Sequence, residues 1–179
     1  MTTGPRPGAV ALLAFGASLA LYFGIGQALA PGRMFERPDL ALGTDVPRVI
    51  ADLTRFEANH YRTKVHPLFV ILLNPLGLAL KELLGAPRPA ALLLNAGAGA
   101  LGVALFHLLL RRLGVAWIRA ILWTALFALS SSQLFFGSIP ETYAFSGASL
   151  LLLFVMFARG YQCACNMASA AVRPSTATV

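Results

Sequence analysis

The sequence predicts an all-α, polytopic helical membrane protein. It would have about four membrane-crossing helices, plus interfacial or re-entrant helices in the first external loop. Three observations carry that prediction. Of the 179 residues, 58% are hydrophobic and 12% are charged, whereas a soluble domain carries about 25% charged residues. The mean hydropathy is +0.72. The apolar residues fall in runs of roughly 20, the length that crosses a bilayer's hydrocarbon. A net charge of +7 does not point to nucleic acid. The basic residues sit at segment ends and in one polar loop, with no basic run beside an aromatic platform.

The first span is expected over 8–30. Ala28-Leu29-Ala30 imitates a signal-peptidase site, but Pro31 follows directly. The apolar run also exceeds the roughly 7–15 residues of a signal-peptide core, so it reads as a retained anchor. Gly16, Ala20, Gly24 and Ala28 recur every fourth residue. That spacing puts small side chains on one helix face, where another helix can approach closely.

The external loop, 31–89, begins with the chain's most polar stretch. Between 31 and 66 lie Glu36, Asp39, Asp45, Asp52 and Glu57, together with Arg33, Arg37, Arg48, Arg55, Arg62, Lys64 and His60. Thr44-Asp45-Val46-Pro47 reads as a helix start, because either polar side chain can cap backbone N–H groups and Pro47 fits a first turn. Val46, Val49, Ile50, Leu53 and Phe56 then trace an apolar stripe, with Arg48, Asp52, Arg55 and Asn59 off it. An amphipathic helix over about 46–60, lying on the membrane surface, is expected. A second loop helix over about 67–84 is barely long enough to span, and Pro75 and Gly77 interrupt it. Charge decides its reading. If it does not cross, Arg6, Arg111, Arg112, Arg119 and Arg159 all fall on the cytoplasmic side, so it is read as re-entrant or interfacial.

Further spans are expected over 90–110, 117–136 and 142–158. A small-residue tail from 161 to 179 reads as disordered. It holds Cys163 and Cys165, too close together for an ordinary disulfide framework. In this topology the polar loop and the turn Ser138-Ile139-Pro140-Glu141 share one outer face.

Asp45, just outside the first span, could act as a general base on a hydroxyl or hold a divalent metal; the plainer alternative is an N-cap. Glu141 has an equally plain alternative, because Ser138-x-x-Glu141 before an apolar run fits a capping box. His66 could bind phosphate or metal, or simply be solvated. Arg48, Arg55, Arg62 and Lys64 could hold a lipid phosphate, since guanidinium matches phosphate oxygens bidentately, or could face anionic headgroups. His107 reads as snorkelling or helix-bonded, and Asn74 and Asn95 as bonding between helices. No P-loop, HExxH, GxSxG or metal-spaced Cys/His set occurs. The spans hold almost no ionisable groups, which argues against a proton-coupled pump.

The order of the loop aspartate, "KVHPLFVILLNPLG", "RRLG" and "FFGSIPETYAF" resembles the amino-terminal part of GT-C membrane glycosyltransferases, nearest to the protein O-mannosyltransferase-like group. The likeness covers 45–157. In it Asp45 matches the loop aspartate, His66-Pro67-Leu68-Phe69 a second motif and Glu141-Thr142-Tyr143 a third. The resemblance implies transfer of a sugar, mannose by the nearest likeness, from a polyprenyl-phosphate donor to an acceptor outside the cytoplasm. Asp45 and Glu141 would be the catalytic carboxylates. His66, Arg48, Arg55, Arg62 and Tyr143 would bind substrate or lipid phosphate, with a divalent metal, if used, at Asp45. The expected setting is a bacterial inner membrane with the amino terminus cytoplasmic. The other reading is a non-catalytic truncated fragment or accessory membrane subunit that acts by packing against other helices.

Overall fold

The computed structural model describes residues 4–36, 45–58 and 67–172. All regular structure among them is helical, as expected. The described residues form seven α-helices: α1 (Pro7–Leu29), α2 (Val46–Thr54), α3 (Pro67–Leu84), α4 (Pro87–Arg112), α5 (Trp117–Ala128), α6 (Ser131–Ser138) and α7 (Thr142–Val172), with a 3-10 turn at Arg33–Phe35. Among the described residues three helices, α1, α4 and α7, are long and apolar enough to cross a membrane, and α5 with α6 makes a fourth crossing if the bent pair is one span. The chain is a multi-pass membrane protein.

The bundle is built around α4. Within its most apolar window 61% of residues are buried, against 17% in the windows of α1 and α7. Helix α4 is therefore the core, and the other two turn hydrocarbon outward. Its sequence suits that place, because Ala90, Ala91, Ala96, Ala98, Gly99, Ala100 and Gly102 keep its surface low and let neighbours close in. Its ends are set by local chemistry. Gly85 takes φ 69° just before Pro87 opens the helix, a left-handed residue followed by a fixed first turn. At the far end Gly114 has φ 83°. Its N–H donates to the Arg111 carbonyl (3.3 Å), and the Val115 N–H to the Leu110 carbonyl (3.0 Å), the paired bonds of a Schellman ending.

Helix α1 runs antiparallel to α4. Arg88, at the start of α4, donates from Nη1 to the Ala30 carbonyl at the end of α1 (2.9 Å). The segment between them thus leaves and returns at one end of the bundle. There Ala30, Phe35, Val46, Leu92 and Ile139 form one apolar cluster. Helix α2 docks on α3 through Val49, Leu53 and Val70, and Asn74 of α3 donates to the Asp52 (2.8 Å) and Arg55 (3.3 Å) carbonyls near the end of α2.

Several expectations are corrected. The close-packing face of α1 is not Gly16, Ala20, Gly24 and Ala28, all of which are exposed. It is Ala11, Ser18, Tyr22 and Gly26. Tyr22 decides this, because its ring fits against Gly99 and Gly137 and its hydroxyl donates to the Ala128 carbonyl (2.8 Å). The span expected over 117–136 breaks into α5 and α6, bent by 58°. Ser130 causes the break: its Oγ accepts from the Gln133 N–H and caps α6 instead of continuing α5. The loop helix expected over 46–60 stops at Thr54, since Arg55 is extended. Asp52, expected on its polar side, is 1% exposed. Helix α7 passes the end expected at 158 and reaches Val172, so the tail expected to be disordered from 161 starts as helix. After Gly160 the next breaker is Pro174, and the residues between are mostly tolerant of helix. Residues 173–179 lie outside the described residues.

Candidate functional site

The α6–α7 turn sets the geometry of the site. Ile139 precedes Pro140 and is extended, as the steric clash with a following proline requires. The turn is nonetheless buried, with Ser138, Ile139, Glu141 and Thr142 all under 5% exposed. A buried non-helical turn leaves backbone groups without intrahelical partners, and burial away from water makes these costly. Asn95, 0% exposed on α4, meets them. Its Nδ2 donates to the carbonyls of Phe136 (2.8 Å), Gly137 (3.0 Å) and Ile139 (3.0 Å), and its Oδ1 accepts from the Glu141 N–H (3.2 Å). Two amide hydrogens reach three carbonyls, so at least one is shared.

The Asn95 network fixes the backbone of Glu141 and thereby its side chain. The carboxylate is 1% exposed. Oε2 accepts from the Thr142 N–H (3.1 Å) and Oε1 from the Asp45 N–H (2.6 Å). Both are charge-assisted bonds, and the first sits at the start of α7, where the helix dipole favours an anion. A carboxylate buried this deeply needs such partners. The expected capping box with Ser138 is not formed. Ser138 Oγ is buried without a hydrogen-bond partner among the described residues, and the carboxylate reaches the loop instead.

Asp45 stands immediately before α2. Its side chain makes no capping bond, so the plain N-cap reading is set aside. Its Oδ2 pairs with Arg48 Nη1 at 2.7 Å, the aspartate side chain 14% exposed and the arginine 46%. Arg48 also lines a surface depression of 640 Å3 shared with Asp52, Arg55, Glu57 and Lys81. Three cations and two carboxylates line that depression, and Asp45 already meets the charge of Arg48. The Glu141 corner and the depression are joined through Asp45 and its arginine.

Comparison with known protein families, with curated proteins and with solved structures finds no match to this chain. The site therefore has to be read from its own groups.

The residues singled out by sequence separate as follows. Asp45 and Glu141, 96 positions apart, come into contact. Arg48 and Arg55 line one depression. Tyr143 does not join them: it is 60% exposed and its ring leans on Phe136, with centroids 4.7 Å apart. Helical geometry explains this, since two residues after Glu141 the side chain points to another face. His66 and Arg62 lie outside the described residues. Among the described residues no group of three or more His, Cys, Asp or Glu could hold a metal. Asp45 is a poor anchor for one, because a guanidinium already occupies its Oδ2 and backbone N–H groups occupy both Glu141 oxygens. Lys81 was overlooked as a member of the depression, although its place near the end of a loop helix rich in leucine marked it as interfacial. Asn95 was underrated. Its signal is an amide inside the small-residue run Asn95-Ala96-Gly97-Ala98-Gly99, where another backbone can come within bonding distance.

Proposed function

We propose that this chain is a membrane glycosyltransferase, or the amino-terminal part of one, that moves a sugar from a polyprenyl-phosphate donor to an acceptor hydroxyl. The contact between Glu141 and the Asp45 backbone is the observation that supports the reading. It sets a loop carboxylate beside a depression lined by Arg48, Arg55 and Lys81 at one end of the bundle. In this reading Asp45 accepts the acceptor's hydroxyl proton. The oxygen attacks the anomeric carbon with inversion, the carbon–phosphate oxygen bond breaks, and polyprenyl phosphate leaves. Arg48, Arg55 and Lys81 offset the charge on the departing phosphate. Glu141 is a positioning residue: both its oxygens hold backbone N–H groups, and through Asp45 N–H it sets where the Asp45 side chain stands. No step runs through a metal.

General-base help is worth about 10²–10⁴-fold, so Asp45→Asn is expected to lose that much transfer from a radiolabelled polyprenyl-phosphate sugar to an acceptor by purified chain. Glu141→Gln is expected to lose less, because one amide oxygen can still accept. An Asp45→Asn protein with full activity removes the mechanism. The reading also puts Asp45 on the non-cytoplasmic face of a bacterial inner membrane, because Arg6, Arg111, Arg112 and Arg119 collect toward the other end of the spans. With Cys163 and Cys165 replaced, a cysteine at Glu57 should react with an impermeant maleimide in intact cells. One at Leu113 should react only after the cells are opened.

One observation favours a second reading, a membrane subunit that works by helix packing. The small-residue stripe of α1 is exposed along its length, and a Cβ at Gly8, Gly16 or Gly24 meets nothing within 4 Å. Absence of sugar transfer by a folded, correctly inserted chain would bring this reading forward.

A further inference from the structure

The break between α5 and α6 lies at membrane depth. Tyr22 of α1 donates to the Ala128 carbonyl on one side of it (2.8 Å). On the other side Gln133 donates from Nε2 to the Gly99 carbonyl of α4 (3.2 Å). Gly99 stands in the middle of α4, with roughly 18 Å of helix between it and either end. The carbonyls that the break opens at the end of α5 are met within the chain. The Leu129 N–H donates to Ala125 (2.9 Å) and the Ser130 N–H to Phe127 (3.2 Å), and Tyr22 takes Ala128. The start of α6 is not met in the same way. Ser130 accepts from the Gln133 N–H through Oγ (3.4 Å) and from the Leu134 N–H through its carbonyl (2.9 Å). The N–H groups of Ser131 and Ser132 lie in a first turn, with no carbonyl behind them, and nothing among the described residues accepts from them. The Ser131 hydroxyl has no partner there either. Both serines are exposed.

Lipid tails cannot supply the missing acceptors. Backbone left open at this depth is tolerated only where protein or a water-filled cavity covers it. The approach to the break favours protein. Leu122, Leu126 and Leu129 recur at helical spacing on the outward side of α5, and each is more than half exposed. They form a hydrocarbon seam that runs up to the two serines, a poor wall for a water channel and a good one for another helix. The covering surface has to bring hydrogen-bond acceptors to the middle of the membrane. This chain carries such a surface itself. A serine hydroxyl both donates and accepts, so the pair Ser131-Ser132 is self-complementary. Two copies related by a two-fold axis set the hydroxyl oxygens of one against the N–H groups of the other, with the leucine seams closing alongside.

We propose that the α5–α6 break is the centre of an intramembrane interface between two copies of this chain, in which Ser131 and Ser132 face the same serines of the second copy and Leu122, Leu126 and Leu129 pack beside them. The interface leaves Asp45 and Glu141 untouched and stands whether or not the transferase reading does. Water filling the break is the competing outcome, and the test separates the two.

The full chain, with Cys163 and Cys165 replaced by serine, is reconstituted in phosphatidylcholine liposomes. Leu129→Cys is expected to give a covalent dimer on oxidation. Leu150→Cys is the control and is expected to give none. It is exposed on α7 at about the same depth, since a Cβ at Gly102 would lie near both Gln133 and Ala148. Energy transfer between fluorophores on a cysteine at Leu113 then follows the dimer as lipid is added. Ser131→Leu removes the hydroxyl at an exposed position where the fold is not at stake. It should lower the lipid-to-protein ratio at half-dissociation about tenfold, the scale of two lost interhelical hydrogen bonds. Circular dichroism checks that this variant keeps its helices. The proposal is overturned if the two cysteines cross-link alike, if the chain is monomeric at every ratio, or if Ser131→Leu leaves the dimer unchanged. It is equally overturned if Leu129→Cys in the liposomes reacts with a charged, impermeant thiol reagent, which would assign the break to water.

Discussion

Asn95 and His107 sit on the same helix, are both completely buried, and are spent differently. Asn95 has both ends of its amide engaged, by three carbonyls and one N–H. His107 has one nitrogen bonded and one bare. The bonds of Asn95 all go to backbone, so they define where the α6–α7 turn runs and hence where Glu141 points. His107 bonds to the Thr124 side chain and to the Ala120 backbone, both on one neighbouring helix, and its Nε2 has no partner among the described residues. In a membrane interior, where water does not supply the missing partner, a polar group whose bonds are all internal is architecture. One with a bond left over holds fewer elements in place and is easier to replace.

The comparison breaks most visibly at Asn95. Asn95→Leu orphans the turn's carbonyls and the Glu141 N–H together, and each buried group left unpaired costs about 1–3 kcal/mol. The expected loss is about 3 kcal/mol or more in a detergent unfolding titration, with Glu141 and Asp45 released as a consequence. The companion readout is access: a cysteine at Ser138, 1% exposed in the intact protein, should become reactive in the Asn95→Leu background. A variant of unchanged stability with Ser138 still protected would show that the turn holds itself.

Next in size are the glycines, which test which face of α1 meets the bundle. A Cβ at Gly26 would stand 2.6 Å from the Ser138 carbonyl oxygen and 2.7 Å from Leu92 Cδ2. Backbone cannot yield there, so Gly26→Ala should cost about 1–3 kcal/mol, the usual range for overpacking. Gly24→Ala, two residues away with nothing within 4 Å, should stay within about 0.5 kcal/mol. Equal losses at both would move the packing face to the stripe of Gly16, Ala20, Gly24 and Ala28. The same logic makes Gly77→Ala damaging, since its Cβ would run into the Leu53 carbonyl and lift α2 off α3.

These positions show how much was legible in the sequence. Helical spans were readable because a run of apolar residues has few other uses, but the span expected over 90–110 runs from Pro87 to Arg112, its ends set by Gly85 before it and Gly114 after it. The packing face of α1 was not readable. Small residues at every fourth position mark a face that permits close approach, but the face actually used is chosen by Tyr22, whose hydroxyl needs the carbonyl that the α5–α6 break leaves open at Ala128. That need exists only once the break exists. The break in turn depends on Ser130 capping α6, whereas a serine run inside an apolar stretch can also continue a helix. At the candidate site Asp45 and Glu141 were each identified as capping or catalytic carboxylates. Their meeting was legible only as a shared membrane face, because it depends on an asparagine that pins a turn from a third helix.

The smallest effect expected is at the His107 end, and it sharpens the contrast with Asn95. Thr124→Val removes the acceptor of the Nδ1–H and should cost about 1 kcal/mol, the net worth of one hydrogen bond. If His107 matters only as the partner of Thr124, adding His107→Leu should recover most of that loss, since two apolar side chains then face each other. The coupling between the two substitutions measures this directly. Asn95 offers no equivalent rescue. Its partners are backbone groups, which no second substitution can make apolar, so Asn95→Leu combined with any side-chain change in the α6–α7 turn should stay at least as unstable as Asn95→Leu alone. A double variant at His107 and Thr124 that remained as unstable as Thr124→Val would mean that the imidazole supports the fold through more than this bond. The two ends of α4 would then be alike in kind.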